Sequence, residues 1–191
     1  MSSYNDRNAG CFHGKSLVTL LNGEMRLAED VSVGDVLNAG GVVKCVVKTM
    51  IQGGRMPLIR LPQTGLLLTP YHPVMWEGLW QFPVDIGEWV DVDCDAVYSY
   101  LVESGCVANK FASSALINGV PTAMLGHGVD NIPCLSHPFF GTKAVVEALQ
   151  QCPGYCTGLV LFTNEHQNFV RHSETNDVCG IDNTLALAIH A

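Results

Sequence analysis

The chain has 191 residues, 48% of them apolar and 15% charged, with a formal net charge of −8. That length and balance suit a globular chain of one domain, or one domain with an extension, and exclude a disordered one. The acidic balance without any basic cluster argues against a nucleic-acid partner, and no apolar run reaches the ~18 residues of a membrane helix.

The chain opens on a polar stretch, Met1-Ser2-Ser3-Tyr4-Asn5-Asp6-Arg7. It has no apolar core and is read as flanking sequence, not as a signal peptide. Gly10-Cys11-Phe12 follows. Ser16–Leu21, Asn22-Gly23 and Glu24–Leu27 then spell a hairpin, because Asn-Gly accepts the positive φ angles of a type I′ turn. Val42–Ile51, Leu58–Leu61, Leu66–Thr69, Val74–Trp76, Trp80–Phe82, Trp89–Val92 and Ala96–Val102 continue the strand pattern, punctuated by Pro and Gly. A second hairpin signal, Asn118-Gly119, lies between Ala115–Ile117 and Thr122–Leu125. Beyond Gly128 the texture changes. Lys143–Gln151 predicts a helix, with Thr142 as its cap and Pro153 beyond its end. Gly158–Phe162 and Asn168–Arg171 read as strands, and Thr184–Ala191 as a short apolar tail.

Three residues carry candidate chemistry. Cys11 can attack the carbonyl before it, because Gly10 has no Cβ to shield that carbon. The product is a thioester in place of the Gly10-Cys11 amide. An ordinary thiol is mostly protonated at neutral pH, so the cysteine needs activation. Thr69 and His72, three apart, can reach one small volume: the hydroxyl holds the amide and the imidazole moves its proton. Each feature alone is commonplace, since Cys11 reads equally as a small buried residue. Cys45 reads as a core-facing strand thiol, and His13 as a loop residue two positions from Cys11.

Cys11-Phe12, the following strand, Asn22-Gly23 and Val33-Gly34-Asp35-Val36-Leu37 resemble the first block of the hedgehog/intein (Hint) family. Leu68-Thr69-Pro70-Tyr71-His72-Pro73-Val74 resembles its Thr-x-x-His block. Val97-Tyr98-Ser99-Tyr100-Leu101-Val102, Ile117-Asn118-Gly119-Val120 and Leu125-Gly126-His127-Gly128 resemble its closing blocks. Trp80-Gln81-Phe82-Pro83-Val84-Asp85, Gly126-His127-Gly128 and His137-Pro138-Phe139-Phe140-Gly141-Thr142 are similar to the Vint subgroup, Hint domains of von Willebrand A-type proteins.

The resemblance implies an all-β, horseshoe-like fold with pseudo-twofold symmetry and a small mixed α/β C-terminal extension. It divides the chain into an upstream flank over residues 1–10, a Hint core over 11–128 and a Vint-type extension over 129–191. It implies self-processing by an N-to-S acyl shift at Gly10-Cys11, with Cys11, Thr69, His72 and His127 as catalytic residues. Water or another nucleophile then resolves the thioester. The substrate is the chain's own upstream polypeptide and the acceptor a small or protein nucleophile, within a larger multidomain protein. No cofactor or metal is implied. A Cys/His peptidase acting in trans and an idle interaction scaffold are the alternatives.

Two departures from the family pattern matter. Inteins end on His-Asn, whose Asn cyclises, whereas Gly128 follows His127 here and has no side-chain amide. Asn183-Thr184 has the junction pattern but is preceded by Asp182. Hedgehog proteins activate cholesterol with an acidic residue on the strand before Thr-x-x-His, and residues 44–60 contain none. Of the eight cysteines, Cys11 must be free and the others are odd in number, which favours reduced thiols and a cytoplasmic setting. Cys152-x-x-x-Cys156 with Cys134, His137 and His166 offers zinc-type ligands without the usual close pair, so no metal is assigned.

Overall fold

The computed structural model describes residues 10–104, 114–163 and 169–183. In chain order the strands are β1 (Phe12–His13), β2 (Leu17–Thr19), β3 (Met25–Leu27), β4 (Gly41–Met50) and β5 (Arg55–Arg60). They continue as β6 (Leu67–Leu68), β7 (Val74–Trp76), β8 (Leu79–Gln81), β9 (Glu88–Asp93) and β10 (Ala96–Ser104). The last are β11 (Ser114–Ile117), β12 (Val120–Ala123), β13 (Leu159–Thr163), β14 (Phe169–Arg171) and β15 (Val178–Ile181). Among the described residues the α-helices are α1 (Pro83–Ile86) and α2 (Lys143–Gln150), with two short 3-10 turns at Ala28–Asp30 and Tyr155–Thr157. Among the described residues, no helix is long and apolar enough to cross a membrane.

A seven-stranded sheet runs β13-β4-β10-β1-β6-β5-β9, and a six-stranded sheet runs β3-β2-β11-β12-β7-β8. Their inner faces share one core, in which Phe12, Leu37, Leu68, Tyr100 and Ile117 are fully buried. Tyr100 extends across this core and donates its hydroxyl to the Ala28 carbonyl at 2.9 Å, which satisfies a group that burial would otherwise strand. Short β1 sits between β10 and β6 (Phe12↔Tyr98 and Phe12↔Leu68), so the candidate nucleophile enters the middle of the larger sheet.

Both Asn-Gly signals make hairpins, by different turns. Asn118 (φ 47°) and Gly119 (φ 78°) both take left-handed backbone, as type I′ requires. Asn22 does not. There Gly23 alone has positive φ (84°), Gly23 N–H donates to Leu20 O at 3.0 Å, and Leu20 N–H donates to Glu24 O at 2.8 Å. The first hairpin is thus a longer loop closed by a glycine bulge, because Asn22 Oδ1 accepts from Glu24 N–H at 3.0 Å and stabilises that alternative.

The C-terminal region joins the larger sheet. β13 pairs in parallel with β4, Leu159↔Val46 through Thr163↔Met50. Helix α2 begins where Thr142 Oγ1 accepts from Ala144 N–H at 3.2 Å and buries Val145 and Leu149. These pack with Cys45, Val47 and Leu101 of the sheet and with Phe139, Phe140, Phe162 and Ile181 in a second cluster. Residues 184–191, and residues 1–9 of the upstream flank, lie outside the described residues.

Candidate active site

Strand pairing alone brings Cys11 and Thr69 together. Beyond Phe12↔Leu68, Thr69 N–H donates to the Cys11 carbonyl at 2.9 Å. The Thr69 hydroxyl then accepts the Cys11 N–H at 2.9 Å and lies 3.3 Å from the Cys11 carbonyl oxygen. One fully buried threonine therefore grips the residue on both sides of its Cα, including the nitrogen of the Gly10-Cys11 bond.

Pro70 ends the strand, because it cannot donate to the ladder. The turn closes as His72 N–H donates to Thr69 O at 3.3 Å, returning the imidazole over Gly10. A Cβ built on Gly10 would lie 3.0 Å from His72 Cγ and 3.2 Å from its Nδ1, so glycine lets the ring rest against the backbone here. Ala123 N–H donates to Pro73 O at 3.0 Å, which holds the end of β12 beside this turn. The Ala123 carbonyl then lies 2.6 Å from His72 Nε2. A carbonyl only accepts, so Nε2 carries the proton and Nδ1 is the bare lone pair.

Electrostatics set the resting state. Burial pushes the Cys11 thiol up to about 12, and nearby Cys94 adds to the rise. Burial pulls His72 down to about 4, opposed by the carbonyl of Ala123 and the backbone of Cys11. Both groups rest neutral at pH 7. The thiol is held far above the imidazole, so moving a proton from one to the other is strongly uphill in the resting state.

Half-buried His127 and buried His137 are also neutral, each held down to about 4 by desolvation. A folded-state value below the unfolded 6.5 means that the unfolded chain takes up protons first as pH falls. Stability is therefore full above about pH 6.5 and is lost between there and about pH 4. His72 alone accounts for roughly 2–3 kcal/mol at pH 4.5. Urea unfolding at pH 7.5 and 4.5 should show this loss, and His72→Gln should show less of it by about that amount.

A cavity of about 20 Å³ adjoins this centre, lined by Gly10, His72, Pro73, Ser99, His127 and Phe140 among others. His127 Nδ1 accepts the Val129 N–H at 3.1 Å, leaving the neutral ring's proton on Nε2. His72 Nδ1 and Ser99 Oγ are the two buried side-chain polar atoms among the described residues that make no hydrogen bond. Orphaned groups of this kind cost about 1–3 kcal/mol each when nothing satisfies them.

The structure thus brings Gly10, Cys11, Thr69, His72 and His127 to one place. It leaves other candidates aside. His13 is engaged away from the Gly10-Cys11 bond, its Nε2 3.1 Å from Asp93 O and its Nδ1 accepting Lys15 N–H at 3.0 Å. Cys45 packs in the C-terminal cluster with Cys152, whereas Cys11 packs with Ile51, Met56, Leu58, Cys94 and Val97. His137 Nδ1 accepts the Phe139 and Phe140 N–H groups at 3.0 and 3.1 Å. Cys134 and Cys152 belong to different clusters, and no three possible metal ligands gather among the described residues. His166 and Thr184 lie outside those residues. Cys94 beside the site had no motif to announce it, and Ser99 lay within the Val97–Val102 block without a role attached to it.

A family model, Vint, described as a Hint-domain, matches residues 10–180. Similar solved structures include the crystal structure of the gp41-1 intein, at 14% identity and a TM-score of 0.43. The match covers 61% of this chain and 99% of the intein. A DnaB intein from Synechocystis sp. PCC 6803 matches at 13% identity and a TM-score of 0.43, covering 61% of this chain and 99% of the intein. No curated protein matches the chain.

Proposed function

The chain belongs to the Vint Hint-domain family of self-processing domains, and from that premise we propose that it cleaves its own backbone at Gly10-Cys11 through a thioester. Its open-sheet, mostly β architecture is the Hint fold, and we take residues 11–128 as the catalytic core and 129–191 as the extension. The observation that carries the proposal is the paired grip on one peptide bond: Thr69 on its nitrogen and the His72 ring on its Gly10 side.

The steps follow from proton positions. His72 Nδ1, as the free lone pair, takes the Cys11 thiol proton while the sulfur adds to the Gly10 carbonyl carbon. His127, with its proton on Nε2, supplies a donor for the oxyanion. The imidazolium then returns its proton to the Cys11 nitrogen as the C–N bond breaks. Thr69 holds that nitrogen by its N–H, which restrains the amide as its planarity is lost. His72 is therefore base first and acid second. A thiol, an amine or water resolves the ester.

The test is direct. Dithiothreitol should attack the thioester and release residues 1–10 from a chain beginning at Cys11, both seen by intact mass. An unchanged mass after prolonged incubation contradicts the proposal.

Splicing and sterol transfer are not expected. Gly128 cannot form a succinimide, and its backbone makes a turn with φ 70°. Asp85 and Asp95 are both exposed, and neither lines the cavity beside Gly10. With a reporter appended after Ala191 and a sterol present, mass spectrometry should find neither a ligated product nor a sterol on Gly10.

A further inference from the structure

We propose that Ser99 and His72 hold one water molecule against Gly10, and that this water is the built-in group that resolves the thioester by hydrolysis. The inference rests on the thioester reading above and deepens it by naming the acceptor.

Three observations converge on the same spot. The first is size: a cavity of about 20 Å³ exceeds the roughly 10–15 Å³ that one water requires. The second is chemistry. Ser99 Oγ and His72 Nδ1 are both buried without a hydrogen bond, and both residues line that cavity. Buried waters occupy such places, where otherwise unsatisfied groups can share one bridging molecule. The third is placement, because Gly10, whose carbonyl carbon is the electrophile, lines the cavity too.

Ser99 is unusual for its strand. Successive side chains of β10 alternate, so Val97, Ser99 and Leu101 share one face. Val97 packs with Cys11 and Leu101 with the C-terminal cluster. Ser99, 2% exposed between them, is the polar break in an otherwise apolar row. An apolar residue would fill the space and leave no room for a water.

The step balances. Once the acyl shift has returned its proton to the Cys11 nitrogen, His72 Nδ1 is again a lone pair. The water donates one proton to it while its oxygen bonds to the Gly10 carbonyl carbon. The C–S bond breaks, and the Cys11 sulfur takes the proton back from His72. The products are a Gly10 carboxylic acid and a free Cys11 thiol. Ser99 acts as a positioning residue: it orients the water and transfers no proton itself.

The test separates water from thiol as the resolving group, using the full chain with a reporter ahead of Met1. In wild type, release without added thiol should proceed and leave a Gly10 carboxylate. Ser99→Ala should slow that release about tenfold, the scale of losing one hydrogen bond to a reacting group. Its release rate in excess dithiothreitol should stay within about twofold, because an external thiol needs no seat. Ser99→Cys, close in size and a weaker hydrogen bonder, should fall in the same direction. It provides the reading if Ser99→Ala melts below the assay temperature. Equal loss in both modes would assign Ser99 to thioester formation or to structure and overturn the inference. So would loss in neither, or a wild type that releases only with thiol. A wild type inert even to dithiothreitol removes the thioester reading itself.

Discussion

Cys11→Ala should abolish release of an upstream reporter, with or without dithiothreitol, down to the background hydrolysis of an ordinary peptide bond. The reason is structural as well as chemical. Cys11 is 4% exposed and sealed among Ile51, Met56, Leu58, Cys94 and Val97, so no other thiol can substitute for it without moving the strand. Cys94 is the nearest other thiol in that cluster, but its Sγ is committed to the Ala96 carbonyl at 3.2 Å. Removing one sulfur at this site leaves a small void and little strain, so the variant should stay folded. Release that persists in a folded Cys11→Ala protein would assign the cut to another nucleophile.

His72→Ala should slow release at least about a hundredfold, the lower range of a general acid–base contribution. Thr69→Ala should cost less, because the hydroxyl restrains the bond and moves no proton. The pH profile carries a second expectation for His72. A neutral thiol and a neutral imidazole together have the same proton count as the reactive thiolate–imidazolium pair. With the two groups near 12 and 4, that count is constant across the accessible range. Release without added thiol should therefore vary less than about threefold between pH 6 and 9. Attack by a thiolate made by losing the Cys11 proton to solvent, from a group near 12, would rise about tenfold per pH unit over the same span. A steep slope, or full activity in His72→Ala, excludes the imidazole from the reaction.

Much of this site was legible because it is carried by local chemistry. Gly10-Cys11, Thr69-Pro70 and His72 are side-chain and backbone types that the proposed reaction needs, and the strands around them were read from their apolar patterning. What was not legible came from the fold. The tautomer of His72 depends on the carbonyl of Ala123, a residue whose methyl group says nothing about its oxygen, 51 positions away. Ser99 stands in the Val97–Val102 block with no role attached to it. Only the packing of β10 brings it to the cavity that His72 also lines. Cys94 reaches Cys11 through the turn between β9 and β10, and scattered cysteines carry no such register. The parallel pairing of β13 with β4 was equally hidden, since the side-chain period of a strand is the same for parallel and antiparallel partners.

The thioester itself can be trapped. Hydroxylamine attacks thioesters far faster than amides, so incubating the purified, folded chain with it should convert the N-terminal fragment to one ending in a Gly10 hydroxamate. The other fragment should begin at Cys11, and both should be absent from Cys11→Ala. A wild-type chain that keeps its full mass in hydroxylamine, while remaining folded, never forms the thioester, and the self-cleavage mechanism proposed for Gly10-Cys11 is then wrong.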